Sequence, residues 1–184
     1  MEQPFPRRDA GRLPFPAKEP FVPFLYRGPP AFCKDSDDIP NEKHKEKFKE
    51  LCKKYEGIPT QITQLEEEIK KIEAEKKITS PSKQSKLELS LRTTLDELSV
   101  ARRKARAFSL ASQILHLQES DRIPNPQDPD SEDYTAKEIQ EIVLKHFETY
   151  IARLTSGEEQ PQLINMTKTK VLTTLLKYKE EEVA

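Results

Sequence analysis

The sequence predicts an all-α protein, and three observations carry that prediction. Charged residues make up 34% of the 184 and hydrophobic residues another 34%, whereas a thick α/β core calls for close to half apolar. Only 4 Gly and no Trp are present, which leaves little material for glycine-built phosphate loops or tight catalytic turns. From residue 41 onward the apolar side chains recur in steps of three and four, the spacing of a single helical face. The predicted architecture is a long antiparallel helical hairpin of coiled-coil type with one kinked arm. A small C-terminal helical pair follows it, and an extended Pro/Phe-rich N-terminal arm precedes it.

Residues 1–37 form the arm. Eight of the 15 prolines lie there, with six aromatic rings: Phe5, Phe15, Phe21, Phe24, Tyr26 and Phe32. Proline at this density fixes φ and removes backbone donors, so helix and central strand are blocked. The chain is expected to be extended and partly polyproline-like. Disordered tails are poor in aromatics, and this arm is not. Pro4-Phe5-Pro6-Arg7-Arg8 recurs as Pro14-Phe15-Pro16-Ala17-Lys18. A stiff strand with a ring every few residues suits a partner's groove, because its ordering cost is low. These six rings are the expected partner-binding residues. Pro20-Phe21-Val22-Pro23 lacks the flanking cation that orients PxxP ligands.

The hairpin is expected over residues 41–119. Asn41 caps a first helix over 41–56, with Phe48, Leu51, Cys52 and Tyr55 on one face. Gly57-Ile58-Pro59 is expected to end or kink it. A second helix over 60–78 packs through Ile62, Leu65, Ile69 and Ile72, with Thr63 and Glu66 forming a capping box if it starts late. Ser80-Pro81 opens a third helix over 82–119, packed through Leu87, Leu91, Leu98, Phe108 and Leu115. The short connection favours an antiparallel return. Small residues at Thr94, Ala101, Ala105 and Ser112 suit close helix approach rather than a leucine-zipper homodimer.

Residues 120–134 are expected to be an acidic, proline-containing linker. A calcium loop is rejected there because no glycine occupies the turn position. The C-terminal unit, 135–182, opens with a Thr135–Glu138 capping box and closes its first helix at Ser156-Gly157. Ile139, Ile142, Val143, His146, Phe147, Tyr150, Ile151 and Leu154 give that helix a broad apolar stripe. Two helices of this size rarely fold alone, so the pair must pack on something else.

The sequence is poor in catalytic chemistry. It holds no GxSxG, Walker or GxGxxG pattern, and Ser80-Pro81-Ser82-Lys83 matches SxxK without companion motifs. His44, His116 and His146 stand at no metal-ligand spacing, so neither a metal nor any other cofactor is expected. Cys33 and Cys52 read as reduced thiols, with Cys52 a small core residue. Ser80 is a candidate proline-directed phosphosite at the hairpin tip.

Arg102, Arg103, Lys104 and Arg106 are a candidate basic contact. Residues 41–119 hold 17 basic and 13 acidic side chains, too balanced for strong phosphate affinity. The alternative is a solvated face opposite acids of the other arm, such as Glu56.

The expected function is therefore that of a non-catalytic coiled-coil adaptor or scaffold subunit in an intracellular multi-protein assembly. Its partners are other proteins, with no small-molecule substrate, no membrane insertion and nucleic acid disfavoured. The alternatives are a structural protein bound along a cytoskeletal filament, such as a microtubule or axoneme, and a nuclear chromatin- or transcription-complex subunit. A cytoplasmic or cytoskeletal place is favoured over a nuclear one.

Overall fold

The computed structural model describes residues 32–183, so Phe5, Phe15, Phe21, Phe24 and Tyr26 lie outside the described residues. The all-α prediction holds: five α-helices dominate the described residues, with two short strands between the third and fourth. A 3₁₀ turn at Lys34–Asp38 leads into α1, Glu42–Lys54. Asn41 caps α1 as expected, its side chain accepting from the His44 amide at 3.1 Å. The inward face carries Phe48, Leu51 and Cys52, all buried, with Tyr55 half-buried beside them.

α1 ends at Lys54, and α2 begins at Gly57 instead of residue 60. Gly57 does not act as a left-handed cap, since Gly157 is the described glycine with positive φ. Pro59 sits within the first turn of α2, where a missing N–H costs nothing because that position has no intrahelical partner. Ile58 and Pro59 are both buried, so the break between α1 and α2 is fixed by burial of its residues. Thr63 makes no capping box; its hydroxyl donates to the Pro59 carbonyl at 3.2 Å.

α2, Gly57–Ile78, is joined to α3, Pro81–Leu115, through Thr79 and Ser80. Glu66 meets Arg102 and Lys76 meets Glu88, so the two helices pass in opposite directions. α3 has 35 residues, about 52 Å at 1.5 Å per residue. It stops four residues before the expected end. The reason lies far along the chain: the buried Gln140 amide donates to the carbonyls of Ile114, Leu115 and Leu117 at 3.1–3.2 Å. Ile114 and Leu115 carry two of the last carbonyls of the helix, where intrahelical donors run out; Ile114 also accepts from the Leu117 amide, and Gln140 bonds all three carbonyls where the chain turns.

The stretch expected as a linker is more structured than predicted. β1, Arg122–Ile123, pairs antiparallel with β2, Tyr134–Thr135. Ile123 and Tyr134 pack half-buried against the core. Between them the Asn125 and Asp128 side chains accept from backbone amides two residues on, at 2.9 and 3.3 Å, turning the chain by a local mechanism.

α4, Ala136–Ser156, starts with the predicted Thr135–Glu138 capping box and ends at Gly157 in the left-handed region. α5, Lys168–Val183, packs back on it. The C-terminal pair is thus not separate from the rest: Ile139, Phe147, Leu154, Leu175 and Leu176 share one core with α1, the start of α2 and the C-terminal half of α3. Ala101, Ala105, Ala107 and Ala111 are buried where neighbouring helices approach α3.

That core reaches out to Leu65 on α2 and Leu98 on α3. Beyond it, Ile72 is buried and Ile69, Leu87 and Leu91 are half-buried between the two helices. No residue of α3 before Thr94 is buried. Among the described residues no helix is long and apolar enough to cross a membrane.

Candidate functional site

The root of the arm is the best-defined candidate. Phe108, on the inner half of α3, is 2% exposed and stands at the centre of an aromatic cluster. Phe147 meets it edge-on at 4.7 Å between ring centroids, and Phe32, Tyr55 and Phe48 lie at 5.0, 5.6 and 6.1 Å. Such pairings add to the burial term by their quadrupoles. Phe32 is therefore not an open ring for a partner: it packs on this protein's own core.

The cysteines correct the sequence reading as well. Cys33 and Cys52 form a disulfide, with Cα atoms 6.2 Å apart, and no free thiol is present among the described residues. Cys52 is in the core as expected, at 8% exposure, but as half of a bridge.

Other ties hold the same segment. The His116 Nε2 lies 2.8 Å from the Asp35 carbonyl, and Lys49 pairs with Asp37, holding that carboxyl below its ordinary range through a hydrogen bond and Coulomb attraction. At the far edge of the cluster Lys54 pairs with Glu148, which raises the Lys54 ammonium above its usual value. Burial pushes the Tyr55 phenol up.

The basic run is largely occupied. Arg102 donates to Glu66 at 2.8 Å, so the facing acid is Glu66 and not Glu56. Arg103 folds back on Ser99, and Arg106 donates to the Met166 carbonyl at 3.2 Å. Burial lowers both Lys104 and Arg106 from their ordinary values. These cations serve the packing of α2, α3 and the chain before α5, and they form no continuous phosphate-facing stripe.

Ser80 is exposed at the α2–α3 turn, with its hydroxyl 3.1 Å from that of Ser82. Gln84 closes this turn by donating to the carbonyls of Lys76 and Thr79.

Sequence reasoning did not anticipate a cleft of about 1300 Å³ between the starts of α1 and α4 and the chain around β1. His44 lines it, 5% exposed, and Lys43, Lys47, Lys137 and Arg122 share its walls with Glu42, Glu119 and Glu141. Lys145 lines the cleft too, so cations and carboxylates are interleaved along the wall with the cations in modest excess. Burial lowers the His44 imidazole despite Gln140 and Glu141. His146, expected on the packing face, is buried at 6% exposure and is lowered for the same reason. Tyr150, in the core, is pushed up to about 12 by desolvation. Among the described residues no group of three or more His, Cys, Asp or Glu is placed to hold a metal ion.

No family model matches the chain, and no curated protein or solved structure matches it either.

Proposed function

We propose that the protein is a non-catalytic adaptor or scaffold subunit that docks other proteins on its helical surfaces and through its N-terminal aromatic arm. The observation that supports this reading is how apolar side chains are distributed. The bundle end encloses most of its own, with Ile164 an exception at 78% exposed, whereas Ile78, Leu89 and Leu95, on the outer parts of α2 and α3, are 86%, 64% and 45% exposed. Beside Leu87 and Leu91, half-buried between the two helices, they give this two-helix stretch apolar surface that its own fold leaves exposed. Burying one such side chain on a partner is worth about 1.5–3 kcal/mol before ordering costs.

The arm residues Phe5, Phe15, Phe21, Phe24 and Tyr26 enter the proposal by their spacing in the sequence. Phe32 does not, since it is seated in cis. With Arg102 and Arg106 already engaged, nucleic-acid contact draws no support.

Two variants test the reading. The first joins Ile78→Glu, Leu89→Glu and Leu95→Glu; the second joins alanine at Phe15, Phe21, Phe24 and Tyr26. Each is expected to keep its helicity by circular dichroism and to bind captured partners about tenfold more weakly or worse, as loss of a well-packed anchor does. If the captured partner is a polymer that co-sediments with the protein, the filament form of the proposal is the one supported. Unchanged binding by both variants would refute the proposal.

A further inference from the structure

The geometry points to the Cys33–Cys52 bridge as a reversible redox site that determines whether residues 32–39 stay seated on the bundle. The inference is independent of any partner. Four observations meet at this segment. The bridge joins the start of the described chain to a core position on α1, across 19 residues. Cys33 has φ 58°, and it is the non-glycine residue with positive φ among those described; an L side chain rarely adopts this left-handed conformation without a constraint. The neighbouring Phe32 lies against Phe108 at 5.0 Å. Beyond the bridge, Ser36 and Ile39 are buried, with their amides bonded to the Cys33 and Ser36 carbonyls at 3.2 and 3.4 Å.

The two sulfurs differ in access, which sets the order of events. Cys33 is partly exposed, and Cys52 is buried beneath it. A dithiol reductant therefore attacks the Cys33 sulfur as its thiolate. The Cys33–Cys52 bond breaks, a mixed disulfide forms on Cys33, and Cys52 leaves as a thiolate that takes up a proton. The second thiolate of the reductant then displaces Cys33, which is protonated in turn. Two electrons pass from the dithiol to the bridge, and the reductant departs as its own disulfide. With the bond gone, nothing covalent holds Cys33 in the left-handed region. The 3₁₀ turn keeps the His116–Asp35 and Lys49–Asp37 contacts, both at the surface, and the burial of Ser36 and Ile39, but the covalent tie that seats Phe32 beside Phe108 is lost.

The test uses the full chain purified without thiols, quenched in acid and alkylated under denaturing conditions. Intact mass is expected to show no added label before reduction and two labels after dithiothreitol. Hydrogen exchange then reads the Ser36 and Ile39 amides, which are expected to exchange at least about tenfold faster in the reduced protein while α4 amides hold their rate. Glutathione disulfide should restore the slow rate. A Cys33→Ser variant should exchange like the reduced wild type with or without dithiothreitol. Two labels on the untreated protein, or Ser36 and Ile39 rates unmoved by reduction, would overturn the inference. So would a Cys33→Ser protein that keeps the slow exchange of the oxidised form, or reoxidation that fails to restore it.

Discussion

The two ends of α3 belong to different environments. Its C-terminal half is surrounded: Ala101, Ala107, Phe108, Leu110, Ala111, Ile114 and Leu115 are at most 3% exposed, covered by α1, α2, α4 and α5. Its N-terminal half has α2 alone, and up to Leu91 its best-covered apolar residues, Leu87 and Leu91, are only half-buried. The heptad spacing is similar in both halves. What differs is the number of neighbours, and a residue needs neighbours on several sides to leave water completely. Stability should therefore concentrate at the bundle end, and the outer end should behave as a surface.

The sharpest way to break this comparison is to cut one large residue from each end. Phe108→Ala is expected to cost about 3–5 kcal/mol, the range for a fully packed aromatic, while Leu91→Ala should stay below about 2 kcal/mol because less area returns to water. Urea denaturation followed by circular dichroism measures both, and equal losses would mean that the outer end is as well packed as the bundle.

A smaller effect sharpens the comparison at the junction of the chain's two halves. Gln140→Leu keeps the apolar volume but removes the side-chain donor to the Ile114, Leu115 and Leu117 carbonyls, of which Ile114 keeps the Leu117 amide, at about 1–3 kcal/mol. Faster amide exchange should appear in the last turn of α3 and not in residues 81–93. Exchange that rises evenly along α3 would show that Gln140 does not set where the helix stops.

The smallest effect is a dependence on pH, also confined to the bundle end. Burial lowers both His44 and His146 from the ordinary value of 6.5, so the folded state holds them neutral while the unfolded chain binds protons more readily. The stability they permit is complete above 6.5 and is lost as pH falls from 6.5 toward their lowered folded values. Glu141, Lys47 and Lys137 face His44, and Glu182, Lys145 and Lys179 face His146. The lowered carboxyls, Asp37, Glu138 and Glu182, also stabilise the fold above their ordinary range, but they weaken it only at lower pH still, as they protonate. Thermal melts between pH 7 and 5 should show a falling midpoint, and His44→Gln combined with His146→Gln should flatten it. A slope that survives the double replacement would assign the effect to other groups.

Much of the local structure was legible because it is written by neighbours in the chain. Asn41, the Thr135–Glu138 box, Pro81 at the start of α3 and Gly157 act on backbone groups within a few residues, so their residue types alone announce helix ends, although Ser80 makes no side-chain cap bond. The apolar steps Ile62, Leu65 and Ile72 and the stripe Ile139 to Leu154 follow from the 3.6-residue turn, and these residues are buried. The arm's root was misread on the same grounds. Phe32 resembles the rings before it in sequence, but its position against Phe108, 76 residues away in numbering, depends on the fold.

What the sequence by itself determined, then, is the helical content, the inward faces and most of the caps, since each rests on periodicity or on contacts a few residues apart. Only the tertiary structure decided that Cys33 bonds Cys52, that Gln140 ends α3, that Arg102 meets Glu66, and that β1 and β2 pair within the supposed linker. The physical reason is the same in each case. A disulfide or a hydrogen bond requires two groups within a narrow range of distance and angle, and spacing along a chain does not fix that range once helices have turned and packed.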